Sequence, residues 1–242
     1  MDSGSYAACA GLLARSQQLD LAAQDLANAN STGYRSQQTT FRSVLARKSV
    51  SSSWSDSVNA FGVLGDTRVL RRAGNLEATG NPLDMGIEGN GFFAVETPHG
   101  MQYTRSGQFR LAGDRALVTR EGYPVTGAQG PIHLPEGALS ISSDGTLSVD
   151  GALAGKIRVV EFPATSTLRA EGGSYYTAPP NAEQPAVSSA VRQGTLEGSN
   201  VDPVTSAVQL IDIERTAQML QNALTTFHSN FDRVAAQDLA KV

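Results

Sequence analysis

The sequence predicts a mixed, mainly β protein: an antiparallel β domain between an N-terminal and a C-terminal α-helix, the two helices pairing as a coiled coil. Three observations predict it. Leu12, Leu19 and Leu26 repeat every seven residues near the N-terminus. Leu210, Ile213, Ala217, Leu220, Leu224, Phe227, Phe231 and Val234 recur at alternating spacings of three and four near the C-terminus. Between them lie short alternating apolar runs punctuated by turn residues, the pattern of strands that pair with close neighbours.

The first helix is expected over about residues 5–28. Its leucines have Cys9, Ser16 and Ala23 as offset partners, a narrow seam of small residues suited to close helix contact. Cys9 is the only cysteine, so no intrachain disulfide or paired-cysteine zinc site is possible, and it is expected to pack as a small apolar residue. In "NANSTGY", Asn28 and Asn30 weaken the helix and Gly33 supplies a left-handed stop. Domain 1–40 therefore reads as a helix with an exit turn. Residues 41–70, with "SVSSSWSDS" around Trp54, read as an extended linker. "RVLRR" reads as a solvated strand or connection.

The β domain is expected over 71–177. "GFFAVET" and "MQYTRSG" flank a "PHG" turn, and "FRLAGDRALV" and "ALVTREGYPV" each place turn residues between apolar runs. "ALSISSDGTLSVDG" is the clearest hairpin: Leu139 and Ile141 alternate, Asp144-Gly145 turns, and Leu147 and Val149 alternate again. "KIRVVEFP" adds a strand. Residues 178–200 carry loop chemistry and read as a return linker. Asp202 then caps, and Pro203 opens, a helix reaching about Leu239 within domain 201–242. At 1.5 Å per residue it is on the order of 55 Å long, too long for the β domain to cover end to end. The two seams are expected to bury each other, and outer apolar residues such as Val208 and Ile211 to meet the same helices of neighbouring copies.

Charge and composition exclude several classes. The net charge of −4 carries no basic stripe of the kind nucleic acid requires. No apolar run approaches the roughly 20 residues of a membrane span, and the N-terminus lacks the pattern of a cleaved signal peptide. His99, His133 and His228 are far apart, and no nucleophile–base pair, HExxH or P-loop is present, so no catalytic, cofactor or metal residues are expected. "GIEGNGFF" has a strand after its glycines, not the helix a phosphate loop requires, and nothing brings Asp84 and Glu88 to a common cleft.

Specific motifs then carry a resemblance. "LAAQDLANANSTGYR", "GNPLDMGIEGNGFFAV" followed by "YTRSGQF" and "LVTREGYPVTG", and "GTLEGSNVDPV" before the long seam together resemble the bacterial flagellar axial proteins, the rod and hook family, over almost the whole chain. The size and "VRQGTLEGSNVDPV" look most like proximal-rod members, with distal-rod members second and hook-type proteins further off. The resemblance implies a non-enzymatic structural subunit without cofactor. It also implies export by the flagellar type III apparatus, residence in the basal-body rod in the periplasm, and partners among other rod subunits and copies of itself. It places the assembly contacts on Leu12, Leu19, Leu26, Asn28, Asn30, Gly33, Tyr34 and the C-terminal seam. A secreted β-domain adhesin with coiled-coil ends, and a hydrolase built from distant residues, are the competing classes.

Overall fold

The computed structural model describes residues 3–45 and 60–239, with the side chains of 9, 11–39, 67–226 and 229 placed. The chain forms two compact units. One comprises residues 1–26, 39–67 and 203–242; the other comprises 27–38 and 68–202.

The first unit holds helices α1, Ser3–Ala27, and α2, Pro203–Leu239. It also holds most of a two-stranded sheet formed by Gln37–Leu45 and Ala60–Val69. Both helices lie within a residue or two of the expected bounds. Among the described side chains of α2 the covered positions are Ser206, Ala207, Leu210, Ile213, Thr216, Ala217, Leu220 and Leu224. That is the stripe the three-four spacing requires. The α1 seam differs from expectation. Leu12, Leu19 and Leu26 are half-buried, but Cys9, Ser16 and Ala23 are exposed, and among the described side chains of the helix the most covered is Ala14. A heptad leucine has neighbours on either side, and here the sheltered side runs through Ala14, Gln18, Leu21 and Asp25. Cys9 is therefore a surface thiol and not a packed apolar residue.

The second unit is antiparallel β throughout its paired strands. Its main sheet has six strands in the order Arg169–Gly172, Tyr175–Thr177, Gly100–Thr104, Phe92–Thr97, Val159–Glu161, Gln184–Pro185. The Phe92–Thr97 strand explains the arrangement of the core. Phe93 and Val95 enter a cluster with Met85, Ile87, Phe109, Leu117, Leu147 and Ile157. Phe92 and Ala94, pointing the opposite way, enter a second with Tyr103, Val160, Phe162 and Tyr176. A strand covered on both faces needs apolar side chains at successive positions, and "FFAV" supplies them. Edge-to-face rings knit the second cluster: Phe92 lies 5.7 Å from Phe162 and 5.8 Å from Tyr176, and Tyr103 lies 4.8 Å from Phe162.

The expected hairpins are present. Thr97 pairs with Gly100 across Pro98-His99. Phe109–Leu111 pairs with Leu117–Thr119. Leu139 and Ile141 pair with Val149 and Leu147 across Asp144-Gly145. Local pairing is only half the topology, however. Tyr175–Thr177 pairs with Gly100–Thr104, and Val159–Glu161 with Phe92–Thr97. Two of the expected linkers also contain strands. The 41–70 stretch holds Ala60–Val69, with Trp54 outside the described residues. In the expected return linker, Ala190–Gln193 pairs with Met85–Glu88 and Thr195–Glu197 with Leu76–Ala78. These strands are two to four residues long where they belong to the second unit, too short to display a period. The β unit thus runs beyond 71–177 at both ends and takes in residues 27–38 as well.

Candidate functional site

Three chain segments of the β unit converge: residues 33–36 after α1, 70–74 after the second strand, and 197–200 before α2. Gly33 makes the approach possible. Its φ is +68°, and a Cβ there would lie 2.1 Å from the Ser106 nitrogen and 2.3 Å from the Arg105 carbonyl carbon. Gly74 plays the same part on the second segment, since a Cβ there would lie 2.1 Å from the Gly198 oxygen. Only glycine lets backbones come this close.

Beneath the crossing lies a buried ionic cluster. Glu197 Oε1 accepts from Arg35 Nη2 at 2.7 Å and from the Gly74 nitrogen at 3.0 Å. Its Oε2 accepts from Arg105 Nη1 at 2.9 Å. All three side chains are at most 1% exposed. Arg35 also donates to the Arg71 carbonyl, and Arg105 to the carbonyls of Ile87 and Gly89 at 3.1 and 2.5 Å. The Arg105 guanidinium stands 5.0 Å from the centroid of the Phe92 ring. Burial pushes Arg105 down to about 10, with the Glu197 carboxylate acting in the opposite direction, so it remains charged at neutral pH. Two cations share one anion, and the carbonyls take up the other terminal nitrogens, while Nε of both Arg35 and Arg105 is buried without a partner.

Backbone bonds close the same junction. The Gly33 nitrogen donates to the Glu197 oxygen at 2.8 Å, and the Arg35 nitrogen to Tyr176 Oη at 2.8 Å. Arg71, expected on a solvated stretch, donates to the carbonyls of Phe162 and Ser166 at 2.7 and 2.6 Å.

The expected contact residues fall into three groups. Gly33 and Tyr34 are buried in this junction, while Asn28 accepts from Ser31 Oγ at 3.1 Å at the helix exit and Asn30 is exposed. Leu12, Leu19, Leu26, Leu210, Ile213, Ala217 and Leu220 are half-buried on their helices, and Leu224 is buried. Phe227, Phe231 and Val234 lie on α2, but their side chains are outside the described residues. A second stripe on α2, Val204, Val208, Ile211 and Met219, faces solvent, as does Leu13 on α1. Sequence reasoning missed Arg35, Arg105, Glu197 and Asn200. Their one visible signal is an ionic or amide side chain inside an otherwise glycine-rich turn: "TGYR", "YTRSG", "LEGSN".

Nothing in the cluster resembles a catalytic centre. The Asp84 carboxylate accepts from Thr79 Oγ1 and Asn81 Nδ2, while Glu88 pairs with Arg192 on the surface. Among the described residues there is no grouping of three or more His, Cys, Asp or Glu fit to hold a metal ion, and no helix long and apolar enough to cross a membrane.

Two protein-family models match the chain. The flagellar hook protein FlgE/F/G D1 domain matches residues 86–149, and the flagellar basal body rod FlgEFG protein C-terminal domain matches residues 192–237. The flagellar basal-body rod protein FlgF of Caulobacter vibrioides is 32% identical, over 97% of this chain and 98% of its own length. FlgF of Salmonella typhimurium is 30% identical over 96% and 97% respectively. The rod protein FlgG of Bacillus subtilis is 28% identical over 91% and 93%. With identity at this level carried along nearly the whole of both sequences, the chain belongs to the flagellar basal-body rod proteins and is FlgF-like among them.

Proposed function

We propose that this chain is a structural subunit of the flagellar basal-body rod, in its proximal part, and that it assembles with other rod subunits and with copies of itself through α1 and α2. It is a structural protein and not an enzyme, as its family is. The observation that carries the reading is the end-to-end likeness to FlgF rod proteins. The helices support the assembly role. α2 has a covered seam, Leu210 to Leu224, and a second apolar stripe, Val204 to Met219, still facing solvent. A helix with two apolar stripes can serve one partner within its own chain, as a coiled coil with α1, and another in a neighbour. Delivery by the flagellar type III apparatus to the periplasm completes the reading. The likeness to FlgG favours a distal-rod position as the second reading.

The test is Leu220→Asp combined with Leu224→Asp in the chromosomal copy. Each leucine contributes roughly 1.5–3 kcal/mol when buried, and each carboxylate adds a desolvation cost of several kcal/mol. The rod should not be completed and cells should not swim, while the purified variant keeps the β circular-dichroism signal and melting temperature of residues 68–202. Normal rods, or collapse of the β unit, would refute the assignment of the seam to assembly.

A further inference from the structure

Asn200 commits its side-chain amide to two other segments of the chain. A primary amide offers two N–H donors and one carbonyl oxygen. Here Oδ1 accepts from the Ser36 nitrogen at 2.8 Å, and Nδ2 donates to the carbonyls of Leu70 at 3.4 Å and Arg72 at 3.0 Å. The main chain of Asn200 adds two more links. Its nitrogen donates to the Tyr34 oxygen at 3.3 Å, and its oxygen accepts from Arg72 Nη2 at 3.3 Å. Ser36 and Leu70 are themselves joined, Leu70 nitrogen to Ser36 oxygen, at 2.9 Å.

The three segments so tied lie beside three of the four points at which the chain passes between its units, after residue 38, before residue 68 and after residue 202; the fourth, after residue 26, is not among them. The buried Glu197 cluster ties the same segments at residues 33–35, 71–74 and 197. Nearer the passages, without the Asn200 amide, Ser36, Leu70 and Arg72 would be held by a few hydrogen bonds that can open separately. The geometry points to Asn200 as a positioning residue for rod assembly: its amide binds the three outgoing segments into one bundle that opens and closes as a unit, so that force on one segment is shared by all three. Aspartate cannot replace it, because two of the three links need N–H donors. The assembly arm of this inference rests on the rod reading above; the exchange arm does not.

Amide hydrogen exchange on the purified full-length chain tests it, with Asn200→Asp and Asn200→Ala compared with the parent. Aspartate keeps the acceptor for Ser36 and turns oxygen toward two carbonyls; alanine removes all three links without adding charge, and carries the test if aspartate unfolds the unit. Exchange at the Ser36 and Leu70 amides should accelerate together, by about tenfold for the loss of one ordinary hydrogen bond. The strand Phe92–Thr97 should be unchanged. Leu70 is the diagnostic amide, since its partner is Ser36 and not Asn200. Acceleration at Ser36 alone overturns the bundle, and so does uniform acceleration that includes Phe92–Thr97, which would mark Asn200 as a residue of general stability. In cells, the alanine variant should assemble rods yet swim several-fold more slowly than the parent in viscous medium. Parental swimming at every viscosity, with exchange altered as expected, would overturn the positioning role and leave the rod reading untouched.

Discussion

Gly33→Ala tests whether the close approach at the junction, beyond the turn itself, demands glycine. Two costs apply. A left-handed φ of +68° costs an alanine roughly 1–2 kcal/mol. The added Cβ would also meet the Ser106 nitrogen at 2.1 Å and the Arg105 carbonyl carbon at 2.3 Å. Both are backbone atoms next to a side chain that is fully buried, so the collision cannot be relieved by turning a rotamer. Overpacking of this kind costs about 1–3 kcal/mol or more. Gly80→Ala is the matched control: φ is +73°, and nothing lies within 4 Å of the new Cβ. Near 150 residues, a domain loses roughly 2–4 °C of melting temperature per kcal/mol. Gly80→Ala should thus lower the melting temperature of the β unit by about 2–8 °C, and Gly33→Ala by about 4–20 °C. The comparison is read from thermal melts followed by circular dichroism near 218 nm. Equal shifts for the two variants would refute the reasoning, because the junction would then be no tighter than an open turn.

Glu197→Gln leaves Arg35 and Arg105 buried with no carboxylate between them. Uncompensated buried charge of this kind costs about 3–5 kcal/mol, and a loss under about 1 kcal/mol in urea unfolding would contradict the ionic reading of the cluster. A pH series on Asp144→Asn tests the hairpin. Hydrogen bonds from Lys156 and Thr146 hold the Asp144 carboxyl down to about 2, below its ordinary value near 4. A depressed carboxylate stabilises the fold above the unfolded-state value and loses that contribution as pH falls through the folded one. The parent should therefore melt higher than the variant at pH 7, with the gap closing between about pH 4 and pH 2; a gap that persists at pH 2 would show that the charge is not its source.

Legibility in the sequence followed the range of the interactions. The α2 seam was readable because helix burial repeats every three or four residues, and Leu210, Ile213, Ala217, Leu220 and Leu224 are covered as that period requires. The Asp144-Gly145 and Pro98-His99 hairpins were readable because a turn residue and two alternating runs lie within one short window. The α1 seam was half readable: a leucine every seventh residue marks a face but not which side of it is sheltered. Strands such as Thr195–Glu197 are too short to show a period, and their partners lie more than a hundred residues away. The junction was least readable. "TGYR" and "LEGSN" stood out as motifs, yet nothing local says that Arg35 will meet Glu197 across 162 residues.

That separation has a consequence for the order of events in synthesis. Residues 33–35 take their place only when Glu197 and Tyr176 exist to receive them. At roughly 5–20 residues per second, the ribosome needs on the order of ten to thirty seconds to travel from Arg35 to Glu197. Through that interval the hairpins of the middle can form, but the unit cannot close. A chain released before Glu197 keeps two arginines where one carboxylate should neutralise them, so an incomplete chain is barred from the native fold by electrostatics as well as by missing strands.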